Sequence, residues 1–125
     1  MKFLVIDDSS TMRRITINAL KRLGYTDVVE AADGHDALER LDQSIEFIIT
    51  DWNMPNMSGV EFARQVRSTL VGQSLPILMV TTRGAREDIV AAVDAGVNNY
   101  ILKPFPPSIL KEKIERLLSA MQIAA

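Results

Sequence analysis

Hydrophobic positions along the 125-residue chain follow two alternating patterns. Residues 3–6, 47–50 and 77–81 are almost continuously apolar, as expected of parallel strands buried on both faces. Residues 28–30 and 100–102 are shorter pieces of the same kind. Longer segments of helical period lie between them. Met12, Ile15, Ala19 and Leu23 predict one helical face, with Ser9, Ser10 or Thr11 available as N-cap and Gly24 as the stop. Ala37, Leu38 and Leu41 predict a second, short helix entered from Asp33 and Gly34. Phe62, Val66 and Leu70 mark a third, starting near Ser58 and Gly59, where the serine is placed to cap it. Ile89, Val90 and Val93 mark a fourth, closed at Gly96, and Leu110, Ile114, Leu117 and Met121 line the last. Strands separated by helices of this length form right-handed βαβ units. The expected class is α/β, a doubly wound sheet of five parallel strands with five helices, whose ligands bind beyond the carboxyl ends of the strands.

That geometry makes the residues just past each strand informative. Strand one ends in Asp7 and Asp8, strand three in Asp51, strand four in Thr81 and Thr82, and strand five in Lys103 and Pro104. Taken singly, each has an ordinary explanation. Asp suits a helix start or a turn, Thr is a good strand former, and Lys is usually solvated. Together they bring three carboxylates, a hydroxyl and an ammonium to one edge, where the acids repel one another unless a cation sits among them. Metal-assisted phosphoryl transfer uses this set. Asp8 and Asp51 can ligate Mg²⁺, with Asp7 acting directly or through water and a loop carbonyl near Asn53 completing the protein's share. Asp51 is then also the candidate nucleophile, Lys103 balances charge on the transferring group, and Thr81 donates a hydrogen bond to it.

Composition narrows the class further. Sixteen acids against fourteen bases leave no basic footprint for nucleic acid. Cysteine is absent, which excludes disulfides and thiolate chemistry. The apolar run at residues 3–6 is cut by Asp7 and Asp8, so it is no signal segment, and no stretch is long enough to span a membrane. The expectation is a cytoplasmic, monomeric, single-domain protein over residues 1–125.

The motifs FLVIDDSSTMRR, TDWNMPNMSG, LPILMVTT and AAVDAGVNNYILKPF resemble those of a response-regulator receiver domain of the single-domain chemotaxis type, almost end to end. The resemblance implies a strand order of 2-1-3-4-5 and phosphorylation of Asp51 by a histidine kinase. It implies Mg²⁺ held by Asp7, Asp8, Asp51 and the carbonyl of Asn53. It also implies a switch made by Thr81 and Tyr100, contact of Lys103 with the phosphoryl oxygens, and a cis Lys103–Pro104 peptide. No output domain follows, so the resemblance implies output by protein contact through a face drawn from Ile89, Val93, Tyr100, Leu102 and Lys113. The implied partner is the flagellar motor switch, with a phosphatase as a further partner. A phosphate sink, or a regulator of a non-flagellar partner, is the alternative. The protein would phosphorylate and dephosphorylate itself without being a turnover enzyme.

Several positions depart from the common receiver pattern. Ser58 stands where Asp is frequent, and Ser9 where an aromatic is. Thr82 is expected to crowd the site and Arg83 to face its mouth, while Asn53 is placed to influence the attacking water. Trp52 is a natural reporter beside Asp51, and Arg13 and Arg14 are expected on a solvated helix face. A flavodoxin-like carrier could use Ser9, Ser10 and Thr11 to cradle a phosphate, but Asp7 and Asp8 would repel it. A metal-dependent phosphatase would need a second acid/base carboxylate and a cap that these short loops do not supply.

Overall fold

The computed structural model describes the backbone of residues 1–124 and the side chains of residues 1–120. Strands β1 (Lys2–Ile6), β2 (Asp27–Ala31), β3 (Phe47–Thr50), β4 (Ile77–Thr81) and β5 (Asn99–Leu102) alternate with helices α1 (Ser10–Arg22), α2 (Gly34–Arg40), α3 (Gly59–Arg67), α4 (Arg86–Asp94) and α5 (Pro107–Ala124). All strand pairs are parallel, in the order β2-β1-β3-β4-β5.

The period of two in each strand divides the core between the two faces of the sheet. Leu4, Ile6, Ile48, Ile77 and Met79 point to one side, where Ala37 of α2, Phe62, Ala63 and Val66 of α3 and Ala92 of α4 cover them. Phe3, Val5, Phe47, Ile49, Leu78, Val80 and Ile101 point to the other, beneath Ile17 and Leu20 of α1 and Leu110, Ile114 and Leu117 of α5. Burial on both faces is why the strands read as unbroken apolar runs.

Caps account for the helix limits. Ser9 accepts from the Met12 N–H at the start of α1, and Ser58 does the same for Glu61 at α3. Gly24 and Gly96, at φ +95° and +103°, follow the ends of α1 and α4 in the left-handed conformation that favours glycine.

Two expectations are corrected. The face that α1 buries is Thr16, Ile17, Ala19 and Leu20, while Ile15 is 49% exposed. Leu70 lies past the end of α3 and is 90% exposed. Helix α4, which Ile89, Val90 and Val93 mark in the sequence, buries Ala92 and carries those three residues exposed. The side chain of Met121 lies outside the described residues.

Register places the site. Ile6 of β1 is level with Thr50 of β3, so Asp7 and Asp51 leave adjacent strands side by side. The Asp51 N–H donates to the Ile6 carbonyl at 3.0 Å, which extends the ladder one step into the rim.

Candidate functional site

Asp7, Asp8 and Asp51 each offer one carboxylate oxygen, and the three atoms lie within 4.8 Å of one another. Asp7 is buried, Asp51 is mostly buried, and Asp8 is exposed. Like charges this close repel by a few kcal/mol per pair at the effective dielectric of a protein rim, roughly 332/(εr) with ε about 20. Lys103, with its side chain 12% exposed, partly relieves that repulsion: its ammonium lies 3.2 Å from Asp7 Oδ2 and 3.5 Å from Asp51 Oδ2. One ammonium among three carboxylates leaves net negative charge facing water.

Each group is held by its local chain. The Asp7 Oδ1 accepts from the Ser9 N–H at 2.9 Å, and the Asp51 Oδ1 accepts from the Trp52 N–H at 2.7 Å. The second Asp51 oxygen is left toward Lys103 and the opening. Lys103 is fixed by its own N–H, which donates to the Thr81 carbonyl at 2.9 Å, and its peptide to Pro104 is cis, as expected. Behind Asp51, Gly59 donates to the Trp52 carbonyl at 2.7 Å. A Cβ at Gly59 would sit 2.1 Å from the Asp51 carbonyl oxygen, so only glycine lets α3 start this close beneath the acid.

Burial pushes the Asp51 carboxyl above its ordinary value of 3.8, and nearby Asp7 adds to the rise, while Lys103 and the Trp52 N–H act against it. A raised pKa in the folded state means that folding favours the protonated acid. The associated stability is full below the ordinary Asp range and is lost as pH rises through the folded-state value. Asp51→Asn, which cannot ionise, is therefore expected to be more stable than wild type at neutral pH. The gain should vanish on acidification below the ordinary Asp pKa. Urea midpoints measured in metal-free buffer across that range check this; an Asn variant less stable at pH 7 would show that Lys103 more than offsets burial.

The remaining expected residues lie around this cluster. Thr81 is fully buried at the end of β4, and its hydroxyl oxygen accepts from the Arg83 N–H at 3.2 Å. Tyr100 is half-buried and donates its hydroxyl to the Arg83 carbonyl. The Arg83 guanidinium lies over the Trp52 ring, 4.5 Å from its centroid, and reaches Asn53 Oδ1 at 3.3 Å and Asp88 at 3.4 Å. Arg83 thus faces the mouth of the site and also touches both expected switch residues through its backbone. Thr82 is exposed. Ile89, Val93 and Leu102 are exposed, and Lys113 is half-buried.

Arg13 corrects the reading of a solvated pair. Arg14 is exposed, but the Arg13 side chain is only 17% exposed and bonds both Glu30 of β2 and the Asp7 carbonyl. Nothing in the sequence signals this, because Glu30 is seventeen positions away on β2 while Arg13 is on α1.

A family model for the response regulator receiver domain matches residues 3–115. Chemotaxis protein CheY1 of Helicobacter pylori is 53% identical over 120 residues, which cover 94% of this chain and 97% of that protein. Chemotaxis protein CheY4 of Vibrio cholerae superposes with a TM-score of 0.87 at 36% identity, covering 93% of this chain and 97% of the other. The receiver domain of a sensor histidine kinase from Pseudomonas aeruginosa, with a magnesium ion coordinated in its active-site cleft, is 26% identical with a TM-score of 0.85, covering 94% of this chain and 97% of the other. The family match runs from β1 into α5, across every strand that contributes to the acidic rim, and the chain belongs to the response regulator receiver domains.

Proposed function

We propose that this receiver is a chemotaxis response regulator that accepts a phosphoryl group on Asp51 from a histidine kinase and answers by binding a partner through its own surface. The observation that carries the reading is the meeting of Asp7, Asp8, Asp51 and Lys103 at one rim. Its similarity to a chemotaxis protein at 53% identity supports the pathway. Receiver domains are response regulators rather than turnover enzymes, and phosphoryl acceptance and its reversal are here the protein's own chemistry.

Three carboxylate oxygens at a water-facing rim form a hard donor set that fits Mg²⁺. Asp8 and Asp51 would hold it, with Asp7 directly or through water and the Asn53 carbonyl in addition. When bound, Mg²⁺ supplies positive charge to the oxygens of the transferring group. The Asp51 oxygen that Trp52 does not hold is the nucleophile, and the Lys103 ammonium faces the charge that accumulates beside it. The Thr81 hydroxyl then turns to donate to a phosphoryl oxygen. A hydrogen bond to a charged group is worth about 1.5–3 kcal/mol, the size of a typical allosteric coupling of about 1–3 kcal/mol. By leaving the Arg83 N–H, Thr81 releases the loop that also holds the Tyr100 hydroxyl. Phosphorylation in this way biases an equilibrium between two arrangements of the same loop.

The output face is the exposed apolar set Ile89, Val93 and Leu102, with Tyr100 and Lys113 beside it, and its partner is the flagellar motor switch. A phosphatase is a second partner that would shorten the signal. Among the described residues no helix is long and apolar enough to cross a membrane.

Incubation with acetyl phosphate should give one Mg²⁺-dependent phosphoryl adduct by intact-protein mass, mapped to the peptide holding Asp51. No adduct in folded protein that binds Mg²⁺ would sink the receiver chemistry. The phosphorylated protein, but not the unmodified one, should then retain a purified motor-switch component on a column. Equal retention of both forms would leave a phosphate sink or another partner as the output.

A further inference from the structure

The Asp8 carboxylate differs from its two neighbours. Asp7 and Asp51 are fixed by hydrogen bonds to their own carboxylates, whereas Asp8 is exposed and makes no side-chain hydrogen bond among the described residues. No side-chain bond fixes its rotamer, so the backbone that carries it, by setting the Cα–Cβ direction, decides which positions its oxygens can reach. The peptide joining Asp7 to Asp8 is planar, so whatever holds the Asp7 carbonyl also orients the Asp8 N–H and the start of its Cα. That carbonyl accepts from Arg13 Nη1 at 2.6 Å. The guanidinium is itself aimed by Glu30 of β2, whose carboxylate accepts from Nε at 3.0 Å. The Asp7 N–H donates to the Ala31 carbonyl, also on β2, at 3.3 Å. Both ends of the Asp7 residue are thus referred to the neighbouring strand, one directly and one through the Glu30–Arg13 pair.

We infer that Arg13 is a positioning residue for the cation site: with Glu30, it fixes the Asp7–Asp8 peptide so that the Asp8 carboxylate meets those of Asp7 and Asp51. The inference rests on the reading of these three acids as the Mg²⁺ site. Arg13 touches neither phosphoryl group nor metal in this role and acts only through the peptide it holds. The planar fork of arginine suits the task, because Nε and Nη1 serve two acceptors at once and a lysine ammonium has no such fixed geometry.

Two alternatives make opposite or null predictions for the Mg²⁺ affinity of the Arg13 variants. If Arg13 acted only as a nearby positive charge, removing it would tighten Mg²⁺ binding, and removing the Glu30 charge would weaken it. If it only stabilised the fold, its loss would lower the urea midpoint in metal-free buffer while the folded protein bound Mg²⁺ as before. Positioning predicts weaker binding in both single variants, since each releases the same peptide.

The test is isothermal titration of Mg²⁺ into the whole chain as wild type, Arg13→Gln, Arg13→Lys and Glu30→Gln, each checked for folding by circular dichroism. Losses at residues that orient metal ligands are typically about 10- to 100-fold in affinity. Arg13→Gln is expected to bind about tenfold more weakly, Glu30→Gln more weakly by a smaller factor, and Arg13→Lys to recover only part. The double variant should be no worse than Arg13→Gln alone, because the two residues act in series. Unchanged or tighter binding in Arg13→Gln, or in Glu30→Gln if the first variant fails to fold, overturns the positioning role while leaving the Mg²⁺ site intact. Wild type that binds no Mg²⁺ overturns the site reading and this inference together.

Discussion

Asp51→Ala is expected to abolish phosphoryl acceptance, and Lys103→Ala to slow it about 10²-fold while binding Mg²⁺ more tightly than wild type. The first result follows from removing the rim carboxylate that combines an oxygen Trp52 does not hold with the Lys103 ammonium beside it; Asp8 is exposed and has no ion pair with Lys103. The Asp7 oxygens are both engaged, by Ser9 and Lys103, so Asp7 is no ready substitute. The second combines two effects of opposite sign. In the metal-free protein the Lys103 ammonium pairs with both Asp7 and Asp51, and an incoming cation competes with it for those oxygens. Alanine frees them and makes the rim more negative by one charge, so Mg²⁺ binds better. During transfer the same ammonium is a preorganised positive group beside the accumulating charge, and losing one such donor typically costs about 10²- to 10³-fold in rate. Mg²⁺ titrations and single-turnover phosphorylation at saturating Mg²⁺ separate the two effects. A Lys103→Ala protein that phosphorylates at the wild-type rate under saturation would remove Lys103 from the transfer step. Lys103→Arg keeps the charge with a different reach and should fall between the two.

Much of this site was legible because the strands are short and buried on both faces. Once residues 3–6, 47–50 and 77–81 are taken as parallel strands, Asp7, Asp51 and Thr81 must emerge at one edge, and the observed register places them there. The helix faces were less legible. Along α1, Met12 and Ile15 have the right spacing to be core, yet they line an apolar groove against Pro104, Phe105 and Pro107, and the sheet is covered by Thr16, Ile17 and Leu20. Periodicity gives a stripe but not its rotation about the axis. Leu70 continues the period of α3 beyond its end. The Ser68 and Thr69 hydroxyls donate to the Gln65 and Val66 carbonyls, and this local bonding closes the helix first.

The arginines were the least legible. Arg13 was expected on a solvated face and nothing in the sequence marked Arg67, yet both, like Arg83, bond acceptors brought near by the tertiary fold. Long polar side chains of this kind carry no periodic signal, because their partners are set by which loops meet. Arg83 was expected at the mouth of the site from the resemblance alone. Its stacking on Trp52 and its pairing with Asp88 show how the start of α4 is tied to the turn after β3.

Arg67→Ala is expected to be the most destabilising of these substitutions, by about 3 kcal/mol, and to leave phosphorylation of the folded protein unchanged. Arg67 ends α3 at the amino edge of the sheet, away from the acidic rim. Its guanidinium donates to the Gly96 carbonyl through Nε and Nη2, to the Gly72 and Leu75 carbonyls through Nη1 at 2.7 Å each, and to Asn98 Oδ1. The Asn98 oxygen in turn accepts from the first N–H of β4 at 2.8 Å. Burial lowers the arginine pKa, yet the group stays charged, since guanidinium does not lose its proton in proteins. Its side chain also packs against Gly96, where a Cβ would lie 2.7 Å from Arg67 Cγ, so any side chain at this left-handed position would push the arginine aside. Truncation strands three carbonyls that water reaches only in part, at about 1 kcal/mol each. For a chain of this size that is a fall in Tm of roughly 10 °C. A lower urea midpoint with an unchanged slope is the expected signature of lost native contacts. Arg67→Met, which keeps apolar bulk over Gly96 but donates nothing, should lose nearly as much. If it instead keeps wild-type stability, packing rather than hydrogen bonding is what Arg67 contributes at that edge.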